Sequence, residues 1–323
     1  MNPLRRLHLD PFLVMILLMV LAATIVPAQG IGKTFFKHLT TAAIALLFFM
    51  HGAKLSREAV LAGVGHWRLH LLVLSTTFVL FPLLGLALRP LVPTLLIPET
   101  YQGFLYLCAL PATVQSAIAF TSVARGNVAA AICSAATSSL LGVFLSPLLV
   151  GLLLSAQGQT DLASSIRAVM LQLLLPFILG HLSRPLTAAW VAKNRHLIRI
   201  TDQSSILLVV YTAFSEAVLE GIWSRVSLGT LVIIGVVSLA LLAVVLAFTT
   251  YSARALGFNK ADEITIVFCG SKKSLANGIP MANILFPPAS VGILVLPLML
   301  FHQIQLMLCA VLAQRYAKRP QED

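Results

Sequence analysis

Charge is what this chain has least of. Only 10% of its 323 residues are charged, with 11 acidic side chains against 22 lysines and arginines. A chain that is 59% hydrophobic has too little polar surface for a soluble domain, so the ordinary globular classes are excluded. Cysteine is scarce as well. Cys108, Cys133, Cys269 and Cys309 all fall inside apolar runs, which excludes a disulfide framework and leaves them as small core residues. There is no His-Glu-x-x-His zinc motif, no nucleophile triad and no phosphate-binding glycine loop. An enzyme is therefore not expected, nor a cofactor. The net charge of +11 has almost no aromatic residues clustered with it, so it argues for loops that obey the positive-inside rule and against a nucleic-acid partner.

What the chain has in quantity is apolar runs near the length of about 20 residues that crosses a bilayer. Breaks between them give ten spans: 11–26, 39–52, 67–88, 101–123, 128–154, 163–181, 204–219, 226–253, 264–283 and 289–312. The class is an all-α polytopic membrane protein whose partner is the lipid bilayer. With the N-terminus placed inside, 15 of the 22 basic residues fall on inside segments and five outside, so both termini are predicted cytoplasmic. Arg5-Arg6 before an apolar run resembles a signal peptide, but with nine spans following it the expected reading is an uncleaved first helix. Short loops suggest a cell inner (cytoplasmic) membrane.

The ninth run, Ile264–Asn283, carries Gly270-Ser271-Lys272-Lys273-Ser274 in its middle. On insertion scales one mid-membrane lysine costs roughly 2.5–3.5 kcal/mol, so an adjacent pair does not face lipid. Gly270 before the lysines, and Gly278 and Pro280 after them, loosen the helix there, and a break at that depth belongs in a cavity or inside protein. Laying the ninth run on the fourth sets Thr113-Val-Gln115-Ser116 against Ser271-Lys-Lys-Ser274 and Pro111 near Gly270. A repeat of five helices is odd in number, so its second copy is inverted. Two interrupted helices at matching places of inverted halves point to a secondary transporter. The expected repeats are 1–156 and 157–323.

Each interruption exposes a half-helix N-terminus, near Val114 and near Lys272, whose free N–H groups favour anions. Candidate substrate- or ion-binding residues are Gln115, Ser116, Ser271, Lys272, Lys273, Ser274 and Asn277. Neighbouring helical residues point about 100° apart, so one lysine faces the cavity while the other reaches a carbonyl end of the opposing break. The small-residue run 128–142 either packs tightly against the fourth helix or contributes Ser134, Thr137 and Ser138 to the site. Asn127 and Arg125 cap and orient the turn before it. Glu216 is the carboxylate well inside a predicted span: it is either a coupling group or counter-ion, or it reaches the interface with Glu220. His51, His70, His181 and His302 read as interfacial.

Thr77-Phe-Val-Leu-Phe-Pro82, the broken fourth span with Ala124-Arg-Gly-Asn-Val128, Leu145-Ser-Pro-Leu148 and Cys269-Gly-Ser-Lys-Lys-Ser-Leu275 together resemble the sodium/bile-acid symporter superfamily. The likeness is to the branch that contains solute carrier family 10 member 7 and its bacterial relatives. That resemblance implies ten helices in a 5+5 inverted repeat with two broken, crossing helices. It implies a core domain from 67–156 and 226–315 and a panel domain from 11–60 and 157–222. It also implies two sodium ions at the crossing in sodium-coupled members. The chain departs there: the family's glutamate falls at Phe268, its glutamine at Lys272 and its third-helix glutamine at Thr77, while its Ser-Asn pair matches Gln115-Ser116 loosely. Sodium sites built the family's way are not expected beside a lysine, whose ammonium repels a cation by several kcal/mol at intermediate dielectric. The expected function is secondary transport of an organic anion, with one lysine standing where sodium would sit. The rival reading is a non-transporting membrane regulator of ion homeostasis.

Overall fold

The computed structural model describes residues 11–54, 66–155 and 170–319. Its helices of seven residues or more are α1 (Pro11–Ile25), α2 (Gly30–Lys54), α3 (Trp67–Ser75), α4 (Phe81–Ala87), α5 (Pro98–Ala109), α6 (Gln115–Val123) and α7 (Val128–Ser155). They continue as α8 (Leu175–Leu182), α9 (Arg184–Lys193), α10 (Arg195–Leu219), α11 (Leu228–Ala255), α12 (Lys260–Gly270), α13 (Leu275–Leu285) and α14 (Pro288–Ala317). No strand occurs among the described residues. Among the described residues, six stretches are long and apolar enough to cross a membrane: Gly30–Lys54, Trp67–Leu91, Val128–Leu154, His196–Leu219, Leu228–Ala255 and Pro288–Ala317.

Both interruptions expected from the sequence are present. The first separates α5 from α6, and the second separates α12 from α13. The second is shorter than expected, because Gly278 and Pro280 lie inside α13. A proline within a helix removes one backbone bond but leaves the other residues of the turn able to bond, so α13 runs through it. Two starts also differ. The second span begins at Gly30 and not at Leu39, and the seventh at Arg195 and not at Ser204. Lys33, Lys37 and Arg199 broke the apolar runs on paper, yet each lies on the exposed face of its helix. Residues 163–169 of the sixth expected span lie outside the described residues.

The described residues group into two units by proximity. One holds 11–54, 154–155, 170–230 and 276–296; the other holds 66–153, 231–275 and 297–319. In the first, α2 and α8 touch backbone to backbone. A Cβ on Gly52 would overlap the carbonyl oxygen of Phe177, and one on Gly180 would overlap that of Phe49. Thr40 and Thr212 share a buried hydrogen bond of 2.9 Å between α2 and α10, and Lys54 pairs with Asp202. Glu216 is held by Lys33 at 3.9 Å, so its partner is a lysine of the same unit. In the second unit, the turns between α3 and α4 widen into a π-helical stretch, Thr76–Leu80. Gly142 admits the ring of Pro111, which a Cβ there would meet at 2.5 Å. All four cysteines are buried and free.

The α2–α8 contact has a direct test. Gly52→Ala and Gly180→Ala each force a methyl into a carbonyl, and overpacking of this kind costs about 1–3 kcal/mol. Each should lower the unfolding temperature of the detergent-purified protein by several degrees. Gly235→Ala, where a Cβ meets nothing within 4 Å, should leave it unchanged.

Candidate functional site: a lysine in a carbonyl cage

The site is built from backbone carbonyls that lost their helical donors. Within the π-helical stretch the N–H of Phe81 bonds to the oxygen of Thr76. The next donor in that register would come from residue 82, which is proline and has no N–H. The carbonyl of Thr77 is thus left free. At the end of α5 the carbonyl of Cys108 faces the same loss. Pro111 has no N–H to offer it, and the N–H of Ala112 is taken by Ser138 Oγ at 3.1 Å. Leu110 has extended backbone geometry, so its carbonyl also points away from any helix. An unpaired buried carbonyl costs about 1–3 kcal/mol.

Lys273 satisfies all three. Its Nζ donates to the oxygens of Thr77 at 2.8 Å, Cys108 at 2.9 Å and Leu110 at 2.7 Å. An ammonium has three N–H donors and no acceptor, so every donor is in use. The ring of Phe81 covers the group at 4.1 Å, a cation–π contact that is stronger away from water. Lys273 is wholly buried. The lysine that reaches a carbonyl end is therefore Lys273.

Lys272 is also wholly buried, but its surroundings differ. Its Nζ lies 4.1 Å from the centre of the Phe120 ring and has no oxygen or nitrogen partner among the described residues. Its polar neighbours are the thiols of Cys309 and Cys269. One lysine is fully engaged; the other keeps its strong donors uncommitted.

The unwound segment between α12 and α13 is fastened by groups from α12, from α14 and from the break between α5 and α6. Ser271 Oγ donates back to Val267 O at 2.6 Å, and the Ser274 N–H donates to Pro111 O at 2.9 Å. Gln305 on α14 accepts the Lys273 N–H at 3.0 Å and donates to the Lys273 carbonyl at 3.1 Å. His302 Nδ1 lies 2.9 Å from Gln305 Nε2 and 3.3 Å from the Lys273 carbonyl.

Of the residues read from sequence, Ser271, Lys272, Lys273 and Ser274 lie in this break, and Ser138 bonds to the other one at Ala112. Ser116 bonds to Thr113 at 2.7 Å, while Gln115 is exposed at the start of α6. Ser134 is turned elsewhere, 2.6 Å from His70 Nδ1. Thr137 is half-buried, and Asn277 is buried in the first unit. His70 Nδ1 and His302 Nδ1 each lie within hydrogen-bond distance of an internal side chain, Ser134 and Gln305 respectively. Gln305 was missed. A glutamine inside an apolar run was the available signal, because intramembrane polar side chains are rarely idle.

A second polar cluster joins the turn before α7 to the start of α12. Asn127 Oδ1 accepts the Ala130 N–H at 3.0 Å as an N-cap, and Asn127 Nδ2 donates to Asp262 at 2.9 Å. Glu263 pairs with Arg254 at 3.2 Å and Lys260 at 2.6 Å. Burial pushes its carboxyl up, but the hydrogen bonds from Arg254 and Lys260 outweigh burial and hold it below the usual glutamate range.

These contacts predict three outcomes. Lys273→Met leaves three buried carbonyls unpaired and should lower stability by about 3 kcal/mol or more, read as unfolding temperature. Lys272→Met, which removes a buried cation with no oxygen or nitrogen partner, should be neutral or stabilising by the same reading. At the second cluster the carboxylate is favoured in the folded state. Its contribution is complete above the unfolded glutamate pKa of about 4.3 and is lost as pH falls through the lower native value. Glu263→Gln should therefore unfold at a lower temperature than wild type near neutrality, and the two curves should converge in acid.

Comparison with known proteins carries these observations to a family. The profile of the SBF-like CPA transporter family matches residues 10–318. The chain is 64% identical over 314 residues to "Putative symporter YfeH" of Escherichia coli (strain K12), covering 97% of this chain and 95% of that one. It is 30% identical over 318 residues to sodium/bile acid cotransporter 7-A of Xenopus laevis, covering 97% and 93%. To sodium/bile acid cotransporter 7 of Rattus norvegicus it is 29% identical over 321 residues, covering 97% and 94%. These relatives are named as transporters and not as enzymes, in keeping with the resemblance read from the sequence. The chain belongs to the SBF-like CPA transporter family.

Proposed function

We propose that this chain is a secondary active transporter for an organic anion in which Lys273 is a resident cation, in the place a sodium ion takes in sodium-coupled relatives. The observation that carries the reading is the cage: three backbone oxygens within 2.9 Å of one ammonium. Carbonyl oxygens in that number are what a protein offers a monovalent cation, and here the cation is covalently attached. Lys272 supports the anionic substrate, because its ammonium keeps donors free for a carboxylate or similar group once the packing at Phe120 opens.

The architecture proposed with it has ten spans. Six are the long stretches, two are the shorter apolar helices Val14–Ile25 and Leu171–Leu182, and two are the interrupted pairs α5/α6 and α12/α13. Repeats 1–156 and 157–323 follow, with a core from 67–156 and 226–315 and a panel from 11–60 and 157–222. Within this reading, α13 and the first turns of α14 group with the panel helices. The bias of basic residues supports both termini on the cytoplasmic side of an inner membrane.

The test is thermal unfolding in sodium, potassium and choline salts at one ionic strength. Wild type should show no sodium-specific shift. Lys273→Ala should be less stable in choline and regain stability in one of the inorganic cations, since a ligand at 100 times its dissociation constant adds about 2.7 kcal/mol. Sodium-specific stabilisation of wild type would sink the resident-cation reading.

A further inference from the structure

Residues 271–274 lie outside the helices on either side, so the N–H and carbonyl of Lys273 have no helical partners. Gln305 supplies both. Its Oε1 accepts the Lys273 N–H at 3.0 Å, and its Nε2 donates to the Lys273 carbonyl at 3.1 Å. The amide can be oriented only one way here, because the backbone N–H needs an acceptor and the backbone carbonyl a donor. Both residues are wholly buried. The lysine side chain is a flexible four-carbon stem, so whether its ammonium meets three carbonyls at once depends on where its own backbone is fixed.

We propose that Gln305 is the positioning residue for Lys273: its side-chain amide clamps the unwound backbone so that the ammonium falls in the carbonyl cage. The proposal rests on the resident-cation reading of Lys273. His302 Nδ1, 2.9 Å from Gln305 Nε2, completes the clamp as the acceptor for the second amide hydrogen. The titratable side chain that the amide bonds to is thus His302, and the Lys273 ammonium is directed away into the cage.

Amide hydrogen exchange across 271–275 tests the clamp without a transported substrate. Gln305→Met keeps the length of the side chain and removes both hydrogen bonds. Relative to wild type at the same pH, exchange there should be faster by roughly tenfold or more at about pH 8 and at about pH 5. Gln305→Glu keeps the acceptor and loses the donor while ionised, so it should exchange faster at about pH 8. In acid a proton on the new carboxyl, or on His302 Nδ1, restores a donor towards the Lys273 carbonyl, and exchange should return to the wild-type rate at about pH 5. Wild-type protection in Gln305→Met would overturn the proposal. So would identical behaviour of the two variants at both pH values, which would mean packing and not hydrogen bonding.

A second arm repeats the salt series on Gln305→Met, which should gain the cation-specific shift expected of Lys273→Ala. If Lys273→Ala gains that shift and Gln305→Met does not, Gln305 does not position the ammonium. If Lys273→Ala shows no shift, the cage reading itself falls, and the exchange data still decide whether Gln305 holds the backbone.

Discussion

Three backbone oxygens without helical donors are the constraint around which the second unit is arranged. In an apolar interior an unpaired carbonyl has no water to turn to. Pro82, in the register that the π-helical stretch sets, and Pro111 each delete a donor, and the extended backbone at Leu110 turns a third carbonyl away from any helix. Such a break is tolerable only with a compact donor of several N–H groups at one point. A lysine ammonium meets that need, and arginine's flat fork would not converge on three carbonyls from different directions.

The same break organises its neighbours. Ser138 takes the Ala112 N–H, Pro111 takes the Ser274 N–H, and Gln305 takes both backbone groups of Lys273. Each orphaned group named here has a specific partner: Ser138 on α7, Pro111 in the break between α5 and α6, and Gln305 on α14. This is why a segment with no regular structure is nonetheless fully buried from Ser271 to Ser274.

Much of this was legible in the residues. Pro111 and Gly270 mark both interruptions, and the adjacent lysines mark the second as a site, because charge inside an apolar run needs a reason. The helix starts at Gly30 and Arg195 were hidden, since a hydropathy break cannot tell a loop from a helix with lysines on its outer face. Which lysine enters the cage was also hidden. That choice depends on the direction in which the chain leaves α12, a property of the unwound backbone and not of the pattern. Pro82 looked like an ordinary helix proline until the π-helical stretch before it showed which carbonyl it strands.

A cation that is part of the polypeptide has no dissociation constant. Its occupancy does not rise or fall with the salt outside, and dilution cannot empty it. The region around Lys273 is therefore ordered from the moment the chain folds, in any ionic medium that leaves the lysine protonated. A metal-ion site in the same position would act as a sensor of its surroundings; this one is insulated from them.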